Sequence, residues 1–470
     1  MLKQVGRSSC TSILIGKAAS LTGSVIIGRN EDSKTAWPKH LAFYPAKTLT
    51  APASFHSKDN QFKIELPKTS FAYDATPEWT DQYGVFAEDG INAYHVAMSA
   101  TESAYANERV LAADPFNPES GLLEEAMVTI VLPYVKSARE GVVRLGDIVT
   151  RYGAAEANGI LFADPNEAWY FEIGSGHHWV AERIPDDEYA VVANQLAIQV
   201  IDFTSPNFIT SPGLAQFVTK NHLWPADQPF DWRAIFGTQD ESDLHYNTPR
   251  VWQGQRRFNP SVHQDPQGTD LPFSRKPEQP ISIQAAQAFL GDHYADTPYD
   301  LTRATNRDQA TFRPVGVATT QESHLLELNG TAMTHWLAMG VVSQSVFIPF
   351  YPQGSIVPAT WDQGAATYSP DSAYWVFKLV SVLVDRSWQR YSGKLNTVQT
   401  KAKIAVTRLR HEYDQKLQGK LSSAQRLDLV NEANQAMAKT VTDLYQQLAA
   451  ELITLQTADS PLQFKMDPNL

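Results

Sequence analysis

At 470 residues the chain is long for one compact domain, and its 43% hydrophobic and 19% charged residues place it in the globular class. A net charge of −12 argues against a nucleic-acid partner, since phosphate binding needs a basic face. A single cysteine excludes an intramolecular disulfide, and no apolar run approaches the roughly 18 residues of a membrane span.

The first element follows Met1–Ser9, a stretch without the apolar core of a secretory signal. The expected compartment is therefore the cytoplasm. Cys10-Thr11-Ser12-Ile13-Leu14-Ile15-Gly16 is strand-like; a turn falls around Leu21-Thr22-Gly23-Ser24. A second apolar run, Val25-Ile26-Ile27-Gly28, then leads into Arg29-Asn30-Glu31-Asp32-Ser33. Two β-branched runs about a glycine turn read as a hairpin. Residues 34–80 read as connections, and Tyr94–Ser99 as a strand. Apolar spacing predicts a helical stretch over 121–153, divided at Pro133. Strands return at Gly159–Phe162 and Ala168–Ile173 around the turn Asp164-Pro165-Asn166-Glu167. Residues 200–280 read as loops and short helices, Ile281–Gly291 as a helix, and 312–350 as strands again. Pro370–Leu452 is largely helical, with Gly393 and Gly419 as its few breakers. Two groups of strands around a helical block fit α+β layers.

Cys10 carries the most chemistry. Cleavage of the Ser9–Cys10 bond would give one residue a nucleophilic thiol and an α-amine, whose pKa of about 7.7–8.0 suits a base near neutrality. The hairpin returns Arg29 and Asp32 towards Cys10. A guanidinium there favours the thiolate, and a carboxylate can hold an α-ammonium. The competing readings are a buried structural cysteine and a solvated, charged strand end. His177-His178 sit adjacent on a strand and point to opposite faces, and neither HExxH nor GxSxG occurs. No metal or cofactor is expected.

Cys10-Thr11 together with Gly28-Arg29-Asn30-Glu31-Asp32-Ser33 resembles the bacterial dipeptidase A/D family of N-terminal-nucleophile (Ntn) cysteine hydrolases, relatives of secernin, penicillin V acylase and bile salt hydrolase. Glu172–Ala181, Ile184–Asp187, Val191–Gln195, Thr248–Trp252, Arg313–Val317, Glu322–His324 and Ser345–Tyr351 continue the resemblance over roughly residues 10 to 390. It implies a four-layer αββα sandwich with residues 1–9 as a propeptide, 10–370 as the catalytic domain and 371–470 as a helical extension. It also implies roles at matching positions: Cys10 as nucleophile, Arg29 beside the thiolate, Asp32 at the amine, Asn194 as oxyanion donor and Arg250 as a later site arginine. Read alone, Asn194 at a strand end is more often a turn residue, and the competing reading of Arg250 is a surface ion-pair partner. Where the acylases carry Asn or Tyr, this chain has Ser99-Ala100-Thr101-Glu102, so no catalytic role is carried over there. Glu102 is instead a candidate for binding a substrate α-ammonium. The expected function is a metal-independent cysteine dipeptidase acting on small peptides through a thioester. An acylase for another amide and a catalytically silent Ntn-fold interaction protein are the alternatives. The C-terminal helices offer a surface for a homo-oligomer.

Overall fold

The computed structural model describes residues 10–303, 311–330 and 332–458, and leaves out the side chains of Thr101 and Glu102. The expected propeptide, residues 1–9, lies outside the described residues. The chain opens with the predicted hairpin. Strand β1 (Thr11–Ile15) pairs antiparallel with β2 (Val25–Asp32), Thr11 opposite Asn30 and Ile15 opposite Ile26. The turn needs Gly23, whose φ of +70° costs a side-chain-bearing residue steric strain.

The hairpin forms the centre of a seven-stranded antiparallel sheet. In order across it lie Ser274–Arg275, Tyr189–Val192, β1, β2, Thr320–Leu328, Met333–Met339 and Ile348–Phe350. Gly28 lets Thr320–Leu328 close on β2, because a Cβ there would sit 2.4 Å from the His324 carbonyl oxygen. A six-stranded sheet runs Phe208–Thr210, Trp179–Ile184, Ala168–Ile173, Asn158–Ala163, Ala97–Ser103 and Asp89–Ile91.

Strand alternation decides which layers meet. Leu14, Val25 and Ile27 point inward onto Leu161, Tyr170 and Val180 of the second sheet. Ile13, Ile15 and Ile26 point outward under Ala286, Phe289 and Leu290 of helix Ile283–Leu290. The outer face of the second sheet, with Phe162, Trp169 and Phe171, lies under helices Glu124–Val131 and Ala138–Tyr152. Each such buried side chain contributes about 1.5–3 kcal/mol of hydrophobic stabilisation. The layers are therefore helix, sheet, sheet, helix.

Pro133 divides the two outer helices as expected. Leu132–Tyr134 is a 3₁₀ turn, and Ser137 caps the next helix by accepting from the Glu140 N–H at 3.1 Å. The strand expected at Tyr94–Ser99 starts instead at Ala97. Asn92 Oδ1 accepts from the N–H groups of Tyr94 at 2.9 Å and Val96 at 3.1 Å, and His95 takes φ +63°. That side-chain-made turn converts an apparent strand start into a hairpin bend. Helices Ala373–Asp385, Trp388–Leu417 and Ser423–Thr457 share one core with Leu337, Met339, Ile348 and Phe350 of the first sheet. Gly393 lies within the second of these helices, while Gly419 falls in the break before the third. No helix among the described residues is long and apolar enough to cross a membrane.

Candidate active site

The hairpin register sets Cys10 opposite Glu31, one step from the Thr11–Asn30 pair. Alternation then turns Cys10, Arg29 and Glu31 to the same side, into the space between the sheets. Cys10 is 2% exposed. Its Sγ lies 3.2 Å from Arg29 Nη1 and 3.4 Å from Glu31 Oε2.

Arg29 is fully buried, and its donors are distributed around it. Nη1 donates to Sγ and, at 2.5 Å, to Glu31; Nη2 donates to Glu88 Oε2 and the Ala100 carbonyl, both at 2.7 Å; Nε donates to Ser99 Oγ at 3.1 Å. Burial disfavours its charge, but Cys10, Glu31 and Glu88 more than offset this and hold it protonated. Glu88 also takes the buried Lys39 ammonium, which reaches Glu78 at 3.4 Å. Burial, reinforced by Glu31, raises the Glu88 pKa against the pull of Lys39 and Arg29. Glu124 completes a trio of carboxylates with Glu31 and Glu88, their oxygens within 4.8 Å of one another. Burial first, then those two neighbours, pushes the Glu124 acid well above its ordinary range.

Asp32 comes out on the other face of β2, with Asn30. It pairs with Arg313 and accepts from the Thr320 hydroxyl. Burial raises its pKa, with Arg313 pulling the other way. Arg313 also approaches Thr11 Oγ1 at 3.4 Å, so Asp32 and Cys10 flank the same strand end from opposite sides.

Arg250 and Asn194 meet at Cys10 from further along the chain. Arg250 sits on helix Thr248–Phe258, which starts with Pro249 in its first turn. Its Nη1 donates to the Cys10 carbonyl and to Thr11 Oγ1 at 2.9 Å. Its Nη2 donates to Asn194 Oδ1 at 2.8 Å and Asn247 Oδ1 at 2.7 Å. The reading of Arg250 as a surface ion-pair residue therefore fails: it is fully buried. Asn194 follows strand Tyr189–Val192, which pairs with β1. With Oδ1 held by a guanidinium, Nδ2 is fixed as the donor end. One of its hydrogens goes to the Ser103 carbonyl at 3.0 Å. Buried Glu172 shapes the segment just after it, accepting from the N–H groups of Ala197 at 2.6 Å and Ile198 at 3.3 Å.

The Glu102 side chain lies outside the described residues; its backbone pairs with Gly159 beyond a bulge in the strand Ala97–Ser103. Glu31, Glu88, Lys39 and Arg313 carry no role in the sequence reading. Of these, Glu31 had a signal, since it lies two residues from Arg29 on a strand. A second group of potential ligands, Asp89, Glu322 and His324, is buried close behind Arg29. Its atoms face cationic or hydrogen-bonding partners: His324 Nδ1 lies 3.0 Å from Glu322 and 3.1 Å from Asp89, and Asp89 lies 3.0 Å from His335. His177 and His178 bind Asp114 and Ser211, each at 2.8–2.9 Å, and take no part in the site.

The family described as Peptidase family C69 matches residues 9–401. A "Probable dipeptidase" of Latilactobacillus sakei is 39% identical over 489 aligned positions, covering all of both chains. "Dipeptidase A" of Lactobacillus helveticus is 34% identical, covering 95% of this chain and 96% of its own. A solved variant of conjugated bile acid hydrolase from Clostridium perfringens aligns with 11% identity and a TM-score of 0.26, over 70% of this chain and 89% of that one. The match starts beside Cys10 and runs through both sheets into the C-terminal helices, and the chain belongs to peptidase family C69.

Proposed function

We propose that the chain is a dipeptidase in which Cys10, freed of residues 1–9, attacks the peptide bond of a short peptide with an unblocked N-terminus. The Cys10 α-amine takes the thiol proton as Sγ bonds to the scissile carbonyl carbon. The C–N bond then breaks, and that proton leaves with the departing amine. Water adds to the thioester, passes its proton to the α-amine, and the C–S bond breaks to regenerate the thiol. Both adducts carry an oxyanion. Asn194 Nδ2, oriented by Arg250, is the donor for it, worth about 3–4 kcal/mol in comparable sites.

The observation that supports this most is the convergence on one residue. Arg29 lies 3.2 Å from the Cys10 sulfur, and Arg250 grips the Cys10 carbonyl while orienting Asn194. The carboxylates of Glu31, Glu88 and Glu124 favour a substrate with a cationic end. Burial first, then Glu31 and Glu88, pushes the Glu124 acid up, and a substrate α-ammonium beside it would relieve that crowding of negative charge.

Intact mass and kinetics on one preparation test the proposal. The active species begins at Cys10, a single thiol alkylation abolishes turnover, and free dipeptides are cleaved while their N-acetyl forms are not. Full activity in Cys10→Ala, or in protein that keeps its first nine residues, refutes the nucleophile. Preference for the N-acetyl peptides turns the reading towards an acylase.

A further inference from the structure

Arg29 can lie against the sulfur only if its own position is fixed. A guanidinium has five N–H donors and no acceptor, so its aim depends on where the acceptors stand. Two of the groups holding it, Ser99 and the Ala100 carbonyl, belong to strand Ala97–Ser103 of the opposite sheet. Ser99 is fully buried and is held in turn: His324 Nε2 lies 2.9 Å from its Oγ. His324 returns to the first sheet, where it is the cross-strand neighbour of Arg29 in the register of Thr320–Leu328 with β2. Its other nitrogen faces Glu322 at 3.0 Å and Asp89 at 3.1 Å. Asp89 is bridged to His335 at 3.0 Å, and His335 to Asp74 at 2.8 Å. The chain of contacts crosses the gap between the sheets repeatedly. In a region where the interior is polar rather than apolar, it fixes the sheet separation beside the nucleophile.

We propose that Ser99 and His324 are positioning residues for the reaction: His324 orients the Ser99 hydroxyl, Ser99 anchors Arg29 Nε, and Arg29 Nη1 is thereby held against the Cys10 sulfur. Neither touches the sulfur itself. This rests on the nucleophile reading of Cys10. The titratable groups facing Arg29 and Sγ are Glu31 on β2, Glu88 with its Lys39 partner and Glu124 beyond Arg29, and Arg313 and Arg250 on the β1 side. Ser99 and the Ala100 carbonyl set Arg29 among them without adding a charge, and of the two Ser99 is the side chain that a substitution removes.

The test measures the rate of Cys10 alkylation by iodoacetamide against pH, alongside turnover of a free dipeptide, in enzyme whose chain begins at Cys10. Ser99→Ala removes one hydroxyl in place, and His324→Gln breaks the link between Ser99 and the carboxylates. Ser323→Ala is the matched control. Its hydroxyl donates to Asn30 Oδ1 at 2.7 Å, an equally buried bond on the face away from Arg29. Ser99→Ala and His324→Gln should move the alkylation midpoint up by about 1 pH unit or more, the scale of a displaced neighbouring charge. They should also lower kcat/KM near neutrality about 10- to 100-fold through kcat. Ser323→Ala should lower Tm with no shift of the midpoint. A Ser99→Ala thiol profile that overlies the parent's, or an equal shift in Ser323→Ala, overturns the relay. If alkylation never affects turnover, the nucleophile reading has failed instead, and the two failures are distinguishable.

Discussion

Asn194→Ala separates an oxyanion donor from a structural asparagine. The side chain is completely buried; Oδ1 accepts from Arg250 at 2.8 Å and Nδ2 donates to Ser103 at 3.0 Å. Two costs should therefore appear. The lost bond to a charged partner and the lost amide bond amount to about 2–4 kcal/mol of stability, lowering Tm but leaving a folded enzyme at 25 °C. The lost second N–H, the proposed oxyanion donor, should lower kcat about 100- to 1,000-fold, or about 2.7–4 kcal/mol of barrier, with KM nearly unchanged. Asn194→Asp keeps an oxygen for Arg250 and loses the donor, so its kcat should fall at least as far. Steady-state kinetics on a free dipeptide, run well below each variant's Tm, gives the split. If Asn194→Asp turns over at the parent's rate, or both variants change KM alone, the donor assignment is wrong.

Arg250→Lys keeps the charge but loses the fork that holds Cys10, Thr11, Asn194 and Asn247 together. It should cost about 2–4 kcal/mol in urea unfolding and lower kcat about tenfold or more; an unaffected kcat would mean that Arg250 only packs. Glu124→Gln should raise KM for unblocked dipeptides about tenfold while sparing kcat, because the trio proposed to receive the ammonium loses one member. An unchanged KM would remove Glu124 from recognition. Glu125 is buried, and burial pushes its acid up to about 7. Its pKa is raised on folding, so its contribution is fully present below about pH 4.5 and is lost as pH rises through 7, at most about 3 kcal/mol. Glu125→Gln should flatten the fall in Tm across that window, and parallel curves for parent and variant would refute this.

The hairpin is legible because Ile13, Ile15, Val25, Ile26 and Ile27 form two β-branched runs on either side of a glycine turn. The return of its second strand brings both Arg29 and Asp32 towards Cys10, and in the structure alternation keeps only Arg29 on the sulfur's face. It also carries Glu31, given no role by the sequence, to the sulfur, and Asp32, expected beside the nucleophile, to the opposite face, where Arg313 meets it. The start of the strand at Ala97 was hidden because Asn92 bends the backbone through its own side chain, which apolar pattern does not register. The polar network was hidden for a different reason. Arg29 meets Glu88 and Ser99 across 59 and 70 residues of chain, and Cys10 meets Arg250 across 240. No local spacing encodes such pairings. The family resemblance supplied Asn194 and Arg250, but not the acids and histidines behind them.

Chain ends ordinarily fray, and a catalytic group carried on one would wander with them. A terminus at residue 10 would be tethered at its own carbonyl by a side chain rooted in helix Thr248–Phe258. The next residue would already lie in the middle strands of the seven-stranded sheet. Loosening it requires opening that sheet. Heat should then silence the enzyme only as the whole domain melts, and its inactivation curve should overlie its unfolding curve.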